Sequence, residues 1–291
     1  MMRRDFKGLI FLLIIIMLFT LTACQGAGDK DDKFTVAVSI IPQATFVKAV
    51  GGDLVDVVTM IPPGSSPANY APSPKELTRF SDSSIYFSLG VPADMANILP
   101  KAKEFNPEMK VVKLFEEVAK VYKDREFAPG QRDPHIWLSP KRVKVMVKVI
   151  TRELAEIDKE NKAIYEKNAN EYLNKLDKLD KEIRESLANL ENRTFIVYHP
   201  AFGYFADDYG LKMLAIEKDG KEATPKRLQE IINIAKEKNI KAVFYQAEID
   251  SKQSKAIAEE IGGKTVQVDP LASNYIENLQ KIAEVFKSIL D

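Results

Sequence analysis

Residues 139–191 read SPKRVKVMVKVITRELAEIDKENKAIYEKNANEYLNKLDKLDKEIRESLANLE. The stretch has no glycine, and its one proline, Pro140, directly follows Ser139. That is where a helix N-cap and the first helical position belong. Farther along, Ile164, Tyr172, Leu176, Leu179, Ile183, Leu187 and Leu190 recur at steps of three, four or their sums, with Lys and Glu on the other faces. This spacing predicts a long amphipathic helix. About 27 residues from Lys162 would reach on the order of 40 Å, the breadth of a domain. The heptad run is barely long enough for a zipper, so the helix reads as a structural strut.

On each side of the strut the hydrophobic period alternates between strand and helix. Before it, strands are expected at Phe34 to Ser39, Leu54 to Ile61, Ser84 to Leu89 and Lys110 to Leu114. Helices fall between them at Gln43 to Val50, Pro74 to Phe80 and Ala93 to Lys103. After it, strands are expected at Thr194 to Tyr198, Leu211 to Ile216, Ala242 to Tyr245 and Thr265 to Val268. The intervening helices are Ala201 to Tyr209, Pro225 to Glu237 and Ser251 to Ile261, and Asn274 to Leu290 closes the chain. Strand, helix, strand is a crossover unit that builds a mainly parallel sheet flanked by helices. The fold class is therefore α/β, with two lobes joined by one long rigid linker helix. The expected division is an N-terminal lobe at 34–138, a helical segment at 139–191 and a C-terminal lobe at 192–291.

The 291 residues carry 42 Lys+Arg against 42 Asp+Glu, so no basic footprint for nucleic acid is present. The chain has one Cys and two His, which excludes an internal disulfide framework and a Cys-rich zinc module. A metal site must draw on two imidazoles and oxygen donors.

Residues 1–23 have the layout of a signal peptide: Arg3, Arg4 and Lys7, then an apolar run from Leu9 to Leu21. The run is shorter than the roughly 20 residues that a permanent span needs. It ends in Leu21-Thr22-Ala23-Cys24, which resembles the bacterial lipobox, where the cysteine is acylated and becomes the first mature residue. Residues 24–33, rich in Gly, Asp and Lys, read as a flexible tether. The expected product is extracytoplasmic and lipid-anchored to the bacterial cell membrane, and slightly acidic once its cationic leader is gone.

Both imidazoles sit at lobe-edge turns beside proline: His135 in Asp133-Pro134-His135-Ile136-Trp137, and His199 in Tyr198-His199-Pro200-Ala201-Phe202. His199 and Asp269, in Val268-Asp269-Pro270-Leu271, each end a predicted strand of the second lobe. Open α/β sheets bind ligands outside the carboxyl ends of their strands. One crevice is thus expected to receive His199 and Asp269, with His135 approaching from the facing lobe. Two imidazoles and a carboxylate suit zinc and other divalent first-row ions. Structural histidines bonded to backbone are the plainer alternative.

Together with the lipobox and Pro62-Pro63-Gly64-Ser65-Ser66-Pro67-Ala68-Asn69-Tyr70-Ala71-Pro72-Ser73-Pro74, these motifs resemble the zinc/manganese solute-binding lipoproteins of ABC importers (the cluster A-I, or zinc-receptor, family). The resemblance implies two α/β lobes on one rigid helix, with a divalent ion, zinc or manganese, held between them as transported ligand. It places ligands at His135, His199 and Asp269. The family's first histidine falls at Ala68, which offers no donor. Water, or a substitute among Asn69, Tyr70 and Glu76, would fill that place, and Glu217, Glu222 and Glu248 are candidates for orienting the ligands. The implied role is capture and delivery, not catalysis. The partners would be an ABC permease with a separate ATPase subunit and the membrane through the N-terminal lipid, with a monomer expected. No GxxxxGK[ST] loop occurs, in keeping with an ATPase on another chain. Two alternatives stand beside this reading. The first is the same fold binding a chelated metal or an organic solute, with Ala68 making room. The second, lesser one is an extracytoplasmic metallohydrolase, for which no HExxH motif is present.

Overall fold

The β-branched run Phe34–Val38 forms strand β1, with Val36, Ala37 and Val38 fully buried. It pairs in parallel with β2 (Val55–Thr59) on one side and β3 (Ile85–Ser88) on the other, and β3 pairs with β4 (Lys110–Lys113). The two inner strands, β1 and β3, are the most buried, while the flanking β2 and β4 carry exposed Asp56 and Lys113. The computed structural model describes residues 33–218, 220–246 and 252–291. The expected leader, Cys24, the tether up to residue 32 and Glu248 lie outside the described residues.

The first lobe's order, β2-β1-β3-β4, recurs in the second with β7 (Thr194–Val197), β8 (Lys212–Ala215), β9 (Ala242–Tyr245) and β10 (Lys264–Gln267) arranged β8-β7-β9-β10. All pairings within these two sheets are parallel. In each lobe the strand order reverses between the first and third strands. A short antiparallel hairpin, β5 (Glu126–Ala128) and β6 (Gln131–Arg132), precedes the helical segment and has no counterpart in the sequence reading. Among the described residues no helix is long and apolar enough to cross a membrane.

The helical segment is two helices, Pro140–Ile157 and Lys162–Ser186. Ser139 caps the first, its Oγ accepting from Arg142 N at 3.4 Å. Asp158 breaks the run: its Oδ2 accepts from Asn161 Nδ2 at 2.8 Å and from the Tyr165 hydroxyl at 2.6 Å. The second helix has 25 residues, and Leu187 and Leu190 are buried just beyond its end. Its inward face is Tyr165, Ala169, Tyr172, Leu176, Leu179 and Ile183, whereas Ile164 is 45% exposed. Eight residues from Tyr172 put Ile164 about 80° off the stripe, while steps of three and four reach Tyr165.

The expected helix Ala93 to Lys103 is instead a π turn at Asp94–Ile98, a 3₁₀ turn at Leu99–Lys101 and one α turn at Ala102–Phe105. Pro100 lacks the N–H that an α-helix needs there. One apolar core runs from β1 and β3 through both long helices to Phe195, Val197, Phe244 and Phe286. A second, smaller core covers the other face of the second sheet through Ile196, Val243, Ile231 and Ile257. The alternation Phe195/Val197 against Ile196 divides β7 between them, as the two-residue period of a strand requires.

Candidate metal site

His135 and His199 meet across a cleft of about 1190 Å³ at the carboxyl ends of the strands. Their Nε2 atoms stand 3.1 Å apart, with the ring planes at 75°. The approach follows from the local folding of each residue.

His135 opens a one-turn 3₁₀ segment at Ile136–Leu138. Buried Asp133 holds it twice, Oδ1 accepting from His135 N at 3.0 Å and facing Nδ1 at 2.7 Å. Arg125 Nη1 donates to the other oxygen of Asp133 at 3.2 Å, and the Tyr204 hydroxyl donates to its backbone carbonyl at 3.1 Å. Gly203 is required here, because a Cβ would lie 2.6 Å from Asp133 Oδ2. Burial pushes the His135 imidazole below its usual value, against the pull of Asp133.

His199 follows β7, and its Nδ1 faces Glu217 Oε2 at 3.0 Å. In the parallel register Val197 pairs with Ala215, so His199 and Glu217 each stand two residues past a matched pair. Glu217 N donates to Tyr198 O at 2.9 Å, which continues that register. Each Nδ1 set against a carboxylate keeps its proton there and leaves the Nε2 lone pair free. Two such lone pairs facing each other call for a positive centre between them. Nitrogens about 2.0–2.1 Å from one tetrahedral ion stand about 3.3 Å apart, close to the observed gap.

The other predicted residues lie elsewhere. Asp269 does not line this cleft; it borders a smaller cavity of about 230 Å³ with Gln267, Asn278 and Lys281. Its Oδ1 accepts from Leu271 N at 2.8 Å and its carbonyl from Asn278 Nδ2 at 2.6 Å. Its neighbours Pro270 and Leu271 do line the main cleft, and Trp137 Nε1 donates to Pro270 O at 2.8 Å. Ala68 lines the cleft, whereas Asn69, Tyr70 and Glu76 do not. The Tyr70 hydroxyl donates to both Glu76 oxygens at 2.7 and 2.8 Å, and Glu76 also accepts from Ser73 N. Burial and this carboxylate raise the Tyr70 phenol to about 12. Tyr70 and Glu76 thus close the N-terminal cap of helix Pro74–Ser81. Among the described residues, no three of His, Cys, Asp and Glu are gathered into a ready cage.

The sequence matches the family model described as "ZnuA: Zinc-uptake complex component A periplasmic" over residues 36–289. The chain belongs to this zinc-uptake component A family. Its similar relatives include "High-affinity zinc uptake system protein ZnuA" of Bacillus subtilis (strain 168), 31% identical over 285 residues covering 91% of this chain and 89% of that protein. Another is "Manganese ABC transporter substrate-binding lipoprotein PsaA" of Streptococcus mitis, 27% identical over 267 residues, or 87% and 85% of the two chains. A solved structure described as "Crystal structure of ZnuA" superposes with a TM-score of 0.85 at 36% identity, covering 89% of this chain and all of the other. The two-lobed parallel fold is thus that of the zinc-uptake component A family. In this member the carboxylates behind the imidazoles are Glu217, one of the three acidic candidates, and Asp133, which the sequence reading had not singled out.

Proposed function

We propose that the cleft captures a divalent transition-metal ion, zinc or manganese, on Nε2 of His135 and His199, and that the protein delivers it to an ABC permease driven by a separate ATPase subunit. The observation that carries this is the pair of Nε2 atoms 3.1 Å apart, each ring backed by a carboxylate at Nδ1. Imidazole donors favour zinc over manganese. Ala68 stands where the resemblance puts a first histidine, so water or another small donor completes the shell on that side. Asp269 would reach the ion only after the turn at Pro270–Leu271 rearranges, because its Oδ1 now holds Leu271 N. The protein acts as a monomeric, lipid-anchored extracytoplasmic receptor, with Cys24 as the acylated residue, and not as an enzyme.

The His135→Ala/His199→Ala double variant should show no zinc heat in titration calorimetry, and an unchanged isotherm would sink the proposal. Affinity of the wild type should fall in acid, since ligating imidazoles must be neutral to bind, and because burial holds the His135 imidazole below its usual value, its protonation contributes only below the ordinary imidazole range.

A further inference from the structure

Three rings close around the His135 imidazole. The centroids of Trp137 and His199 lie 5.1 Å away, and that of Phe127 lies 6.3 Å away, edge-on at 62°. Trp137 is 2% exposed, whereas Phe127 is 42% exposed and belongs to neither apolar core. Phe127 thus stands on the solvent side of His135, which is itself buried although it lines an open cleft.

The chain fixes this ring in place. Phe127 is the middle residue of β5, and the β5–β6 hairpin is tied down at both ends. Arg125, just before β5, donates from its N to the Tyr204 hydroxyl at 2.9 Å, and its carbonyl accepts from Asp133 N at 2.8 Å. Arg132, in β6, donates from Nη2 to Gly90 O. The two-residue period of a strand puts Arg125 and Phe127 on one face. The guanidinium of Arg125, which holds Asp133, lies 6.0 Å from the Phe127 ring.

A phenyl ring beside a ligating imidazole offers no donor, so an ion held by His135 must shed water on that side and gains no ligand in exchange. Zinc, satisfied by four ligands, loses little; manganese, which favours an octahedral shell of oxygen donors and water, loses more. The same ring hinders the water that replaces a ligand when the ion leaves. An apolar shell acts on a metal site in this way, through solvent access. Resting on the metal reading above, we infer that Phe127 is a specificity-determining residue: carried on the β5–β6 hairpin, it keeps water from the ion on the His135 side, slows release and disfavours ions that retain a hydrated shell.

The test compares purified wild type with Phe127→Ala and Phe127→Leu. Zinc release is followed by stopped flow into saturating EDTA, and Zn²⁺ and Mn²⁺ affinities by calorimetry. Phe127→Ala should release zinc about tenfold faster and lower the zinc-over-manganese preference by a similar factor. Phe127→Leu should stay close to wild type, because an aliphatic cover also excludes water. Both variants should fold, since Phe127 lies outside the cores. Unchanged release and preference in Phe127→Ala would overturn the inference and leave the metal reading intact, and so would a Leu variant as fast as the Ala one. A wild type that binds no zinc would overturn both.

Discussion

The two lobes share one strand order, yet they treat the crevice at its reversal in opposite ways. Between β1 and β3 the chain fills the crevice itself. Asp94, fully buried, accepts at Oδ2 from Ser39 Oγ at 2.9 Å, Ser88 Oγ at 2.8 Å and Gly90 N at 2.8 Å. Gly90 turns with φ +72°, and a Cβ there would strike Phe115 at 2.6 Å. Between β7 and β9 the corresponding place holds His199 and Gln246, which both line the cleft, and His199 Nε2 stands 3.1 Å from that of His135. The topology offers two binding crevices, and side chains decide which remains open.

The most severe way to break this contrast is to unplug the first crevice. Asp94→Ala strands two hydroxyls and an amide and should cost about 2–4 kcal/mol in urea denaturation, with zinc affinity held within about twofold. Asp94 also sets a pH signature. Burial, opposed by its hydrogen bonds, raises its carboxyl from 3.8 to about 6. The folded protein therefore keeps a proton that the unfolded chain releases, so this contribution is complete at low pH and is lost as pH rises through about 6. Asp94→Asn should remove about 2 kcal/mol of that decline between about pH 4 and 7, measured by denaturation across the range. On the open side, Glu217→Gln should weaken zinc binding about 10- to 100-fold through a poorly oriented His199. The smallest change is expected from Asp269→Ala, less than about threefold in zinc affinity, since its carboxylate serves the backbone of its own turn; a larger loss would place Asp269 on the ion.

Periodicity carried the fold because strand and helix patterns are local. It misplaced Ile164 onto the buried stripe because a lone apolar residue eight positions away cannot reveal its azimuth when Tyr165, beside it, has a hydroxyl aimed at Asp158. It ran a helix through Pro100 where apolar spacing outweighed the missing N–H. At the site, the two histidines were legible from their place at lobe-edge turns beside proline, with His199 at a strand end, and from their scarcity. Glu217 stood in the sequence as one of three acidic candidates, and only the β7–β8 register singles it out, since its distance of 18 residues from His199 carries no signal by itself. The placement of Asp269 turned on how an Asp-Pro turn satisfies its own amides, which strand-end reasoning does not address.

The continuous core that threads both sheets and both long helices governs how the molecule comes apart. Val36 near one end and Phe286 near the other belong to a single packed cluster that joins the two lobes. Unfolding should then be one cooperative event despite two separate sheets, and damage to β1 should register in the melting of β7.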